Sequence, residues 1–408
     1  MDRTGTLLLN PMNLSALGFR DFRIYIGGNI FALNALWMQR VTIGWIAWDL
    51  TASASFVGFI AFVNFAPTMI TGPLFGVLID RVRVKQAAKV TQLLLFAIAM
   101  AFYLCFRLDA LNVVVLSILS GLSGLVASAH NPVRMSLAPR LVDLDSVASV
   151  ITIAAINFNL ARLTGPALGG WIIAGWGVGT ALLIQTLCYL PFIFAISLLR
   201  PRERSSSKSI QEPFFGALIA GFRHVKHHAH IGQALCVTGL FAFIIRGTLE
   251  ILPVVADGVF NKGAAGLGLL TSSAGLGALC AGMTKAFLPG QIAGRLPRPA
   301  LISALVGIGL VPVVGLSHSW QLTLGLIAGL GYTATIAGIS MQTAIQIDLD
   351  DDLRGRVMSL WVMVGIGAAA AGAITLGFLT EQFGFSLAAC SIGGLGVFIL
   401  ALFLFRNR

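Results

Sequence analysis

Ionised side chains are scarce in this sequence. Only 11% of its 408 residues are charged, and the 27 Lys and Arg outnumber the 16 Asp and Glu. A soluble domain carries roughly 25% charged residues, so this composition excludes an ordinary soluble fold. Because 57% of the residues are hydrophobic, we expect a chain that crosses a membrane repeatedly.

The motifs of enzymes and metalloproteins are also missing. The five cysteines lie within apolar runs and form no CxxC, which excludes a disulfide framework or a structural zinc site. No Walker loop, HExxH or GxSxG sequence occurs, so we expect no enzymatic activity and no cofactor. One histidine cluster permits metal ligation on a helix, but no carboxylate or Cys is nearby in the sequence and a basic surface helix explains the cluster adequately, so we predict no metal site. The cluster contains His224, His227, His228 and His230.

Long apolar runs predict about twelve membrane-spanning helices. The approximate limits are 24–49, 55–79, 87–106, 111–130, 147–174 and 178–199, then 232–256, 264–288, 299–316, 320–345, 356–381 and 385–405. The segment between the sixth and seventh spans begins as a Ser-rich charged linker and continues as a basic amphipathic stretch typical of a helix at the membrane surface. We therefore predict a six-helix half over 1–200, a cytoplasmic linker with an amphipathic helix over 201–230, and a second half over 231–408.

An internal repeat supports two related halves. Residues 170–177 align with 377–384, and 142–145 with 349–352, at an offset of about half the chain. The expected geometry is an all-α membrane fold whose two six-helix halves are related by a pseudo-twofold axis along the membrane normal.

Lys and Arg are concentrated in the loops that follow even-numbered spans, while the opposite loops contain only Arg107 and Lys262. Short basic loops stay in the cytoplasm. We therefore predict that both termini are cytoplasmic. Anionic membrane lipid, rather than nucleic acid, is the expected partner of this positive charge.

The loop after the second span carries the first family signal. The sequence "GVLIDRVRVK" resembles the loop motif of the major facilitator superfamily at Gly76, Asp80, Arg81 and Lys85, and departs from it at positions 83 and 84. Segments 36–53, 131–142, 156–170 and 353–361 resemble the secretion-effector branch, which includes an enterobactin exporter and macrolide efflux proteins. The resemblance covers the whole chain and implies transport across the bacterial inner membrane.

The resemblance implies two conformational elements. Asp80 is expected to face the start of the eleventh helix, near Arg354 or Arg356, and to clamp the halves together. The alternative role of the cations in this loop is to set the orientation of the chain in the membrane. The sequence "GPALGG" resembles the antiporter motif at Gly165, Pro166, Gly169 and Gly170, with Ala161 in place of its first glycine. Close helix packing is the alternative explanation of these small residues.

Ionised residues inside predicted spans are the candidate transport site, because charge in hydrocarbon is expensive and usually faces a partner or an aqueous cavity. Arg40, Arg162 and Arg246 outnumber one acid, Glu250. Glu250 lies four residues after Arg246 and therefore on the same helix face. It is the candidate proton carrier, with a permanent ion pair as the alternative. Two further candidates for the cavity, Asn157 and Trp37, complete the set, and for Asn157 a fixed interhelical network is equally plausible.

These features predict a proton-coupled exporter of a small polar or anionic organic molecule, siderophore-like or drug-like. The expected partners are that solute, protons and membrane lipids. Two alternatives remain open at this stage: a uniporter or importer of the same fold, and a membrane sensor or scaffold that transports nothing.

Overall fold

The helices of this protein follow its apolar runs. The computed structural model describes residues 14–78, 82–202, 223, 225, 228–287, 295–347, 349 and 351–406, and these contain helices and turns but no strand. The first set of helices is α1 (Arg20–Thr51), α2 (Ala54–Leu78), α3 (Val84–Arg107), α4 (Val113–Leu137), α5 (Val147–Leu187) and α6 (Leu190–Leu198). The second set is α7 (Ala229–Phe241), α8 (Gly247–Glu250), α9 (Gly263–Phe287), α10 (Arg298–Leu316), α11 (Trp320–Ile347), α12 (Asp351–Phe383) and α13 (Phe385–Arg406).

These helices make twelve membrane crossings. Among the described residues, nine helical stretches are long and apolar enough to cross a membrane. One of them, Leu144–Leu198, reverses direction at Gly177 and supplies two crossings. The more polar α1 and the partly described α2 supply the other two.

Five connections at one membrane face turn tightly through a residue with positive φ. These residues are Ala52, Asp109, Gly177, Asn261 and Gly384, with φ between 48° and 84°. We call this side the loop face. The opposite side, where α6 ends before Leu199 and α7 begins after His228, is the linker face.

The two sets of helices repeat one packing scheme. In the first set α1 packs on α5 and α2 on α4, and in the second set the α7–α8 region packs on α12 and α9 on α11. Across the boundary, α2 packs on α12 and α9 on α5. The boundary therefore consists of equivalent pairs of helices, as a pseudo-twofold axis requires.

The predicted helix limits agree with the structure to within a few residues, apart from three places. α4 continues to Leu137, beyond the predicted end at 130. The sixth span is interrupted before Leu190, because Pro191 cannot donate the backbone hydrogen bond that would continue the helix. The seventh span contains two π-helical segments, Ala242–Arg246 and Val254–Val259. Most of the predicted amphipathic helix lies outside the described residues.

Candidate transport cavity

A cavity of about 370 Å³ lies between the two sets of helices. Arg162, which lines it, is fifteen residues into α5, and at about 1.5 Å per residue this corresponds to the middle of the membrane. All four intramembrane ions of the sequence analysis line this one cavity: Arg40, Arg162, Arg246 and Glu250. Trp37 lines it as well.

The shortest polar contact in the cavity joins the two sets of helices. Arg40 Nη2 on α1 donates to Glu250 Oε1 on α8 at 2.7 Å. The Arg40 guanidinium also lies 4.6 Å from the ring centroid of Phe65 and 5.4 Å from that of Trp37. The Arg40 side chain is 37% exposed and that of Glu250 is 19% exposed, so a solute or water in the cavity has access to the ion pair.

Arg246 lines the same cavity as Glu250, and its nearest contacts are an aromatic ring and a glycine. Its guanidinium lies 5.9 Å from the ring centroid of Phe241, and its Nη2 would be 3.2 Å from a Cβ at Gly338. Within the described part of the chain, Arg246 has no carboxylate at ion-pair distance. The π-helical turn Ala242–Arg246 ends where α8 begins, so one regular helical turn separates Arg246 from Glu250.

Arg162 and Asn157, the two predicted site residues on α5, lie in different surroundings. The Arg162 guanidinium lies 5.8 Å from the Trp37 ring, on the cavity wall. Asn157 is instead buried against α1, where its Nδ2 donates to Asn29 Oδ1 at 3.1 Å. It is not among the residues that line the cavity, and its position fits the interhelical network that the sequence left as an alternative.

Several lining residues were not singled out from the sequence. Phe158 forms an aromatic wall with its ring centroid 5.8 Å from that of Trp37. Asn64, Thr271 and Thr335 add neutral polar groups. Isolated Asn and Thr residues are common in membrane helices, so only the helical spacing of Phe158 from Arg162, one turn away, offered a signal.

Contacts between the two sets of helices close the cavity toward the loop face. Trp48 Nε1 donates to Asp257 Oδ2 at 2.9 Å, and a Cβ at Gly44 would lie 3.3 Å from Pro253. Glu381 at the end of α12 accepts from the backbone of Ala54 at 2.7 Å, where α2 begins. These contacts lie on the loop-face side of the Arg40–Glu250 pair and seal that end of the cavity.

Glu381 contributes to this seal because it caps the start of α2, a helix of the other set. We expect Glu381→Gln to weaken the closure by about 0.5–2 kcal/mol, the usual cost of losing a cap. The measurement is a pulsed electron resonance distance between nitroxides at Leu108 and His318, which are exposed on loop-face turns of opposite sets. Longer distances in the variant are expected, and an unchanged distribution would contradict the capping role.

Similarity to known proteins agrees with this arrangement of twelve crossings around a charged cavity. Residues 12–408 match the family model described as transmembrane secretion effector. The chain belongs to this family. It is 23% identical over 375 residues to the staphyloferrin A transporter of Staphylococcus aureus (strain NCTC 8325 / PS 47), covering 91% of this chain and 92% of that protein.

Two further proteins are similar. The enterobactin exporter EntS of Salmonella choleraesuis (strain SC-B67) is 26% identical over 288 residues, which cover 69% of this chain and 66% of that protein. The crystal structure of the nucleoside transporter NupG superposes with a TM-score of 0.76 at 11% identity, covering 95% of this chain and 99% of that one. The likeness to NupG concerns the fold alone.

The family and the fold predicted from the sequence are therefore confirmed. This member of the family is a multi-pass membrane protein with the major facilitator fold, and it is a transporter rather than an enzyme.

The glycine-proline motif of this family member has two packing faces. A Cβ at Gly165 would lie 2.6 Å from Trp37 Cβ, and one at Gly169 would lie 3.4 Å from Met38 Cα, both on α1. On the other face, a Cβ at Gly170 would lie 2.5 Å from the carbonyl oxygen of Ala264 on α9. The carbonyl oxygen of Pro166 faces Gly268 of the same helix. The motif thus packs α5 both within its own set and across the boundary, and its predicted role in antiport stays a prediction.

The loop motif is described only in part. Lys85 Nζ donates to the carbonyl oxygens of Ser197 and Leu199 at 2.9 and 2.6 Å, and it therefore caps the end of α6. Gly76 lies in α2. Asp80 and Arg81 lie outside the described residues, and the helix α12 includes Arg354 and Arg356 without a description of their side chains. The predicted clamp between Asp80 and α12 remains a prediction.

The histidine cluster is also only partly described. His228 and His230 have ring centroids 6.2 Å apart at an interplanar angle of 90°. His224 and His227 lie outside the described residues. Among the residues that the structure describes, no group of three or more His, Cys, Asp or Glu is arranged to hold a metal ion.

Proposed function

We propose that this transporter exports a small, polar, oxygen-rich organic molecule by alternating access, in exchange for protons. The observation that carries the proposal is one central cavity lined by three guanidinium groups and one carboxylate. In this proposal the linker face is cytoplasmic, the membrane is the bacterial inner membrane, and both termini are cytoplasmic, because basic residues are concentrated at that face.

The charges of the cavity favour an acceptor-rich solute. Arg162 and Arg246 have no carboxylate at ion-pair distance among the described residues, so their guanidinium groups are available to oxygen atoms of a solute. Planar guanidinium groups bind carboxylates and other oxygen acceptors through two parallel hydrogen bonds. The ring of Phe158 and that of Trp37 add flat apolar contacts in the same cavity. The names of the two relatives, a staphyloferrin A transporter and an enterobactin exporter, motivate a siderophore-like solute.

Coupling to protons requires that binding of the solute either releases protons or takes them up. The position of Glu250 in the cavity favours release. A solute hydroxyl that donates to the Glu250 carboxylate and a proton bound to that carboxylate compete for the same oxygen atoms. A solute that binds in this way therefore displaces a proton, and this competition is the condition for exchange of solute against protons.

A second candidate function has its own supporting observation, the short contact between Arg40 and Glu250. An anionic group that draws Arg40 away leaves the carboxylate without its partner and promotes protonation. Anion and proton then bind together, and the protein would be a symporter that carries an anion inward. The two candidates differ in whether solute binding releases or takes up protons.

The decisive experiment measures transport and proton exchange with the same purified protein in vesicles. The probes are enterobactin, staphyloferrin A and, as a lipophilic cation, tetraphenylphosphonium. We expect accumulation of at least one of the first two in inside-out vesicles that are acidic inside, and release of protons when it binds to the protein in detergent. Uptake of protons on binding would support the symporter instead, and transport of the lipophilic cation alone would overturn the proposed substrate class.

We expect Arg246→Gln to weaken binding of the transported probe by roughly tenfold or more. The basis is the loss of hydrogen bonds to a charged donor, each about 1.5–3 kcal/mol. Calorimetric titration of the purified variant checks the affinity. Arg107→Gln is the matched control, since Arg107 is an exposed cation at the loop face. Equal affinity of Arg246→Gln and wild-type protein would remove Arg246 from the binding site.

A further inference from the structure

One half-buried cation belongs to none of the interactions described above. Arg134 lies in the last turns of α4, beyond the predicted end of that span, and its guanidinium is 5.7 Å from the ring centroid of Phe158. Arg134 has no carboxylate at ion-pair distance among the described residues. A cation held in this way needs a reason, because an unpaired charge within a membrane-spanning helix is costly.

Arg134 is the first member of a continuous series of cations and rings. The ring of Phe158 meets that of Trp37 edge to face at 5.8 Å, and the guanidinium groups of Arg162 and Arg40 lie 5.8 and 5.4 Å from Trp37. We call these five residues the cation–ring series. Each guanidinium contacts an aromatic face or edge, which stabilises a charge without neutralising it.

The series runs from the linker face to the cavity. Arg134 is three residues before the end of α4 at that face, whereas Phe158 and Arg162 are eleven and fifteen residues into α5. At about 1.5 Å per residue, the series therefore extends roughly half the thickness of the membrane. Arg134 therefore lies nearer the linker face than Arg162 does.

The same region contains hydrogen-bond donors without acceptors. Arg134 Nε, Asn29 Nδ2 and Trp37 Nε1 are buried and have no partner among the described residues. Asn29 Oδ1 is already occupied by Asn157. Buried polar groups are nearly always paired. The Tyr25 hydroxyl beside Arg134 is also buried without a partner among the described residues, so the donors of Asn29 and Trp37 carry the case for a missing acceptor-rich group.

We propose that Arg134, Asn29 and Phe158 form a second binding subsite, on the linker side of the central cavity, for a carboxylate or an oxygen-bearing aromatic ring. The inference rests on the proposed function, because it assumes an acceptor-rich solute. In this subsite the guanidinium and the amide donate to oxygen atoms while the phenyl ring packs against the solute. The solute then passes along the cation–ring series to Arg162.

The neighbours of Arg134 provide the competing structural explanation. Tyr25 lies beside its guanidinium, and His130 is one turn earlier on α4 with its Nδ1 3.1 Å from Thr91 Oγ1. These groups would hold Arg134 as part of the packing between helices. A structural role of that kind does not require the charge of Arg134 to face a solute that enters the cavity.

The test uses a single cysteine as a reporter of entering charge. Ala155 is exposed and lies one turn before Phe158, on the same helix face. Ala155→Cys in a background without the five native cysteines reacts with sulfonatoethyl methanethiosulfonate, an anion, and with trimethylammonioethyl methanethiosulfonate, a cation. The reaction rates in purified protein give an anion-to-cation ratio, normalised to the ratio for a free thiol.

We expect a normalised ratio above one that falls about fourfold in Arg134→Gln, the effect of one unit charge at about 10 Å in water on reagents of opposite sign. Arg134→Lys should retain the ratio, and so should Arg140→Gln, the control that removes a cation bound to Ser136. A ratio above one that Arg134→Gln leaves unchanged would overturn the subsite and leave the proposed function standing. A ratio below one in the unaltered background would overturn the proposed substrate class and the subsite with it.

Discussion

In vesicles with an imposed proton gradient, Glu250→Gln is expected to transport no more of the active probe than vesicles without protein. Glutamine preserves the size of the side chain and can still accept a hydrogen bond from Arg40, but it cannot bind and release a proton. Exchange of labelled for unlabelled probe without a gradient should therefore persist. The measurement is the initial rate of probe uptake under both conditions.

Asp49→Asn is the matched control for this result. Asp49 is an exposed carboxylate of α1 near the loop face, and its replacement removes the same charge from the protein. It should leave gradient-driven transport unchanged. Undiminished gradient-driven uptake by Glu250→Gln would instead identify Glu250 as a permanent partner of Arg40, the alternative that the sequence left open.

Arg40 and Glu250 could be predicted from the sequence because an ion in an apolar run is a rare and specific signal. Their depth follows from counting residues along α1 and the seventh span, and the two halves bring them together. The contacts of Arg246 could not be predicted from the sequence. Its guanidinium reaches Phe241 across the π-helical turn, and Gly338 comes from another helix, so spacing for a regular α-helix specifies neither neighbour.

Arg134 and Asp257 could not be placed correctly for a related reason. Both lie just past the predicted end of a span, where polar residues normally mark the return to water. In the structure α4 continues beyond Pro132 and Arg134 finds an aromatic ring, while Asp257 finds the indole of Trp48. Such partners come from other helices, and local hydropathy contains no information about them.

The loop-face closure depends on close approach of α5 and α9, and we expect Gly170→Val to open it. A Cβ at Gly170 would meet the backbone oxygen of Ala264 at 2.5 Å, and backbone atoms cannot move aside as a flexible side chain does. Overpacking of this kind costs about 1–3 kcal/mol, which shifts a two-state equilibrium by roughly 5- to 150-fold. The distance distribution between nitroxides at Leu108 and His318 should move to longer values.

Two other glycines of α5 separate this effect from general damage to the helix. Gly175→Val introduces the same side chain where a Cβ meets no atom within 4 Å, and it should leave the distances unchanged. Gly165→Val presses on Trp37 within the same set of helices, so it should lower the thermal stability of the protein rather than open the loop face. If Gly170→Val kept the wild-type distances, α5 and α9 would have to separate in some other way, and the glycine-proline motif would have no part in the closure.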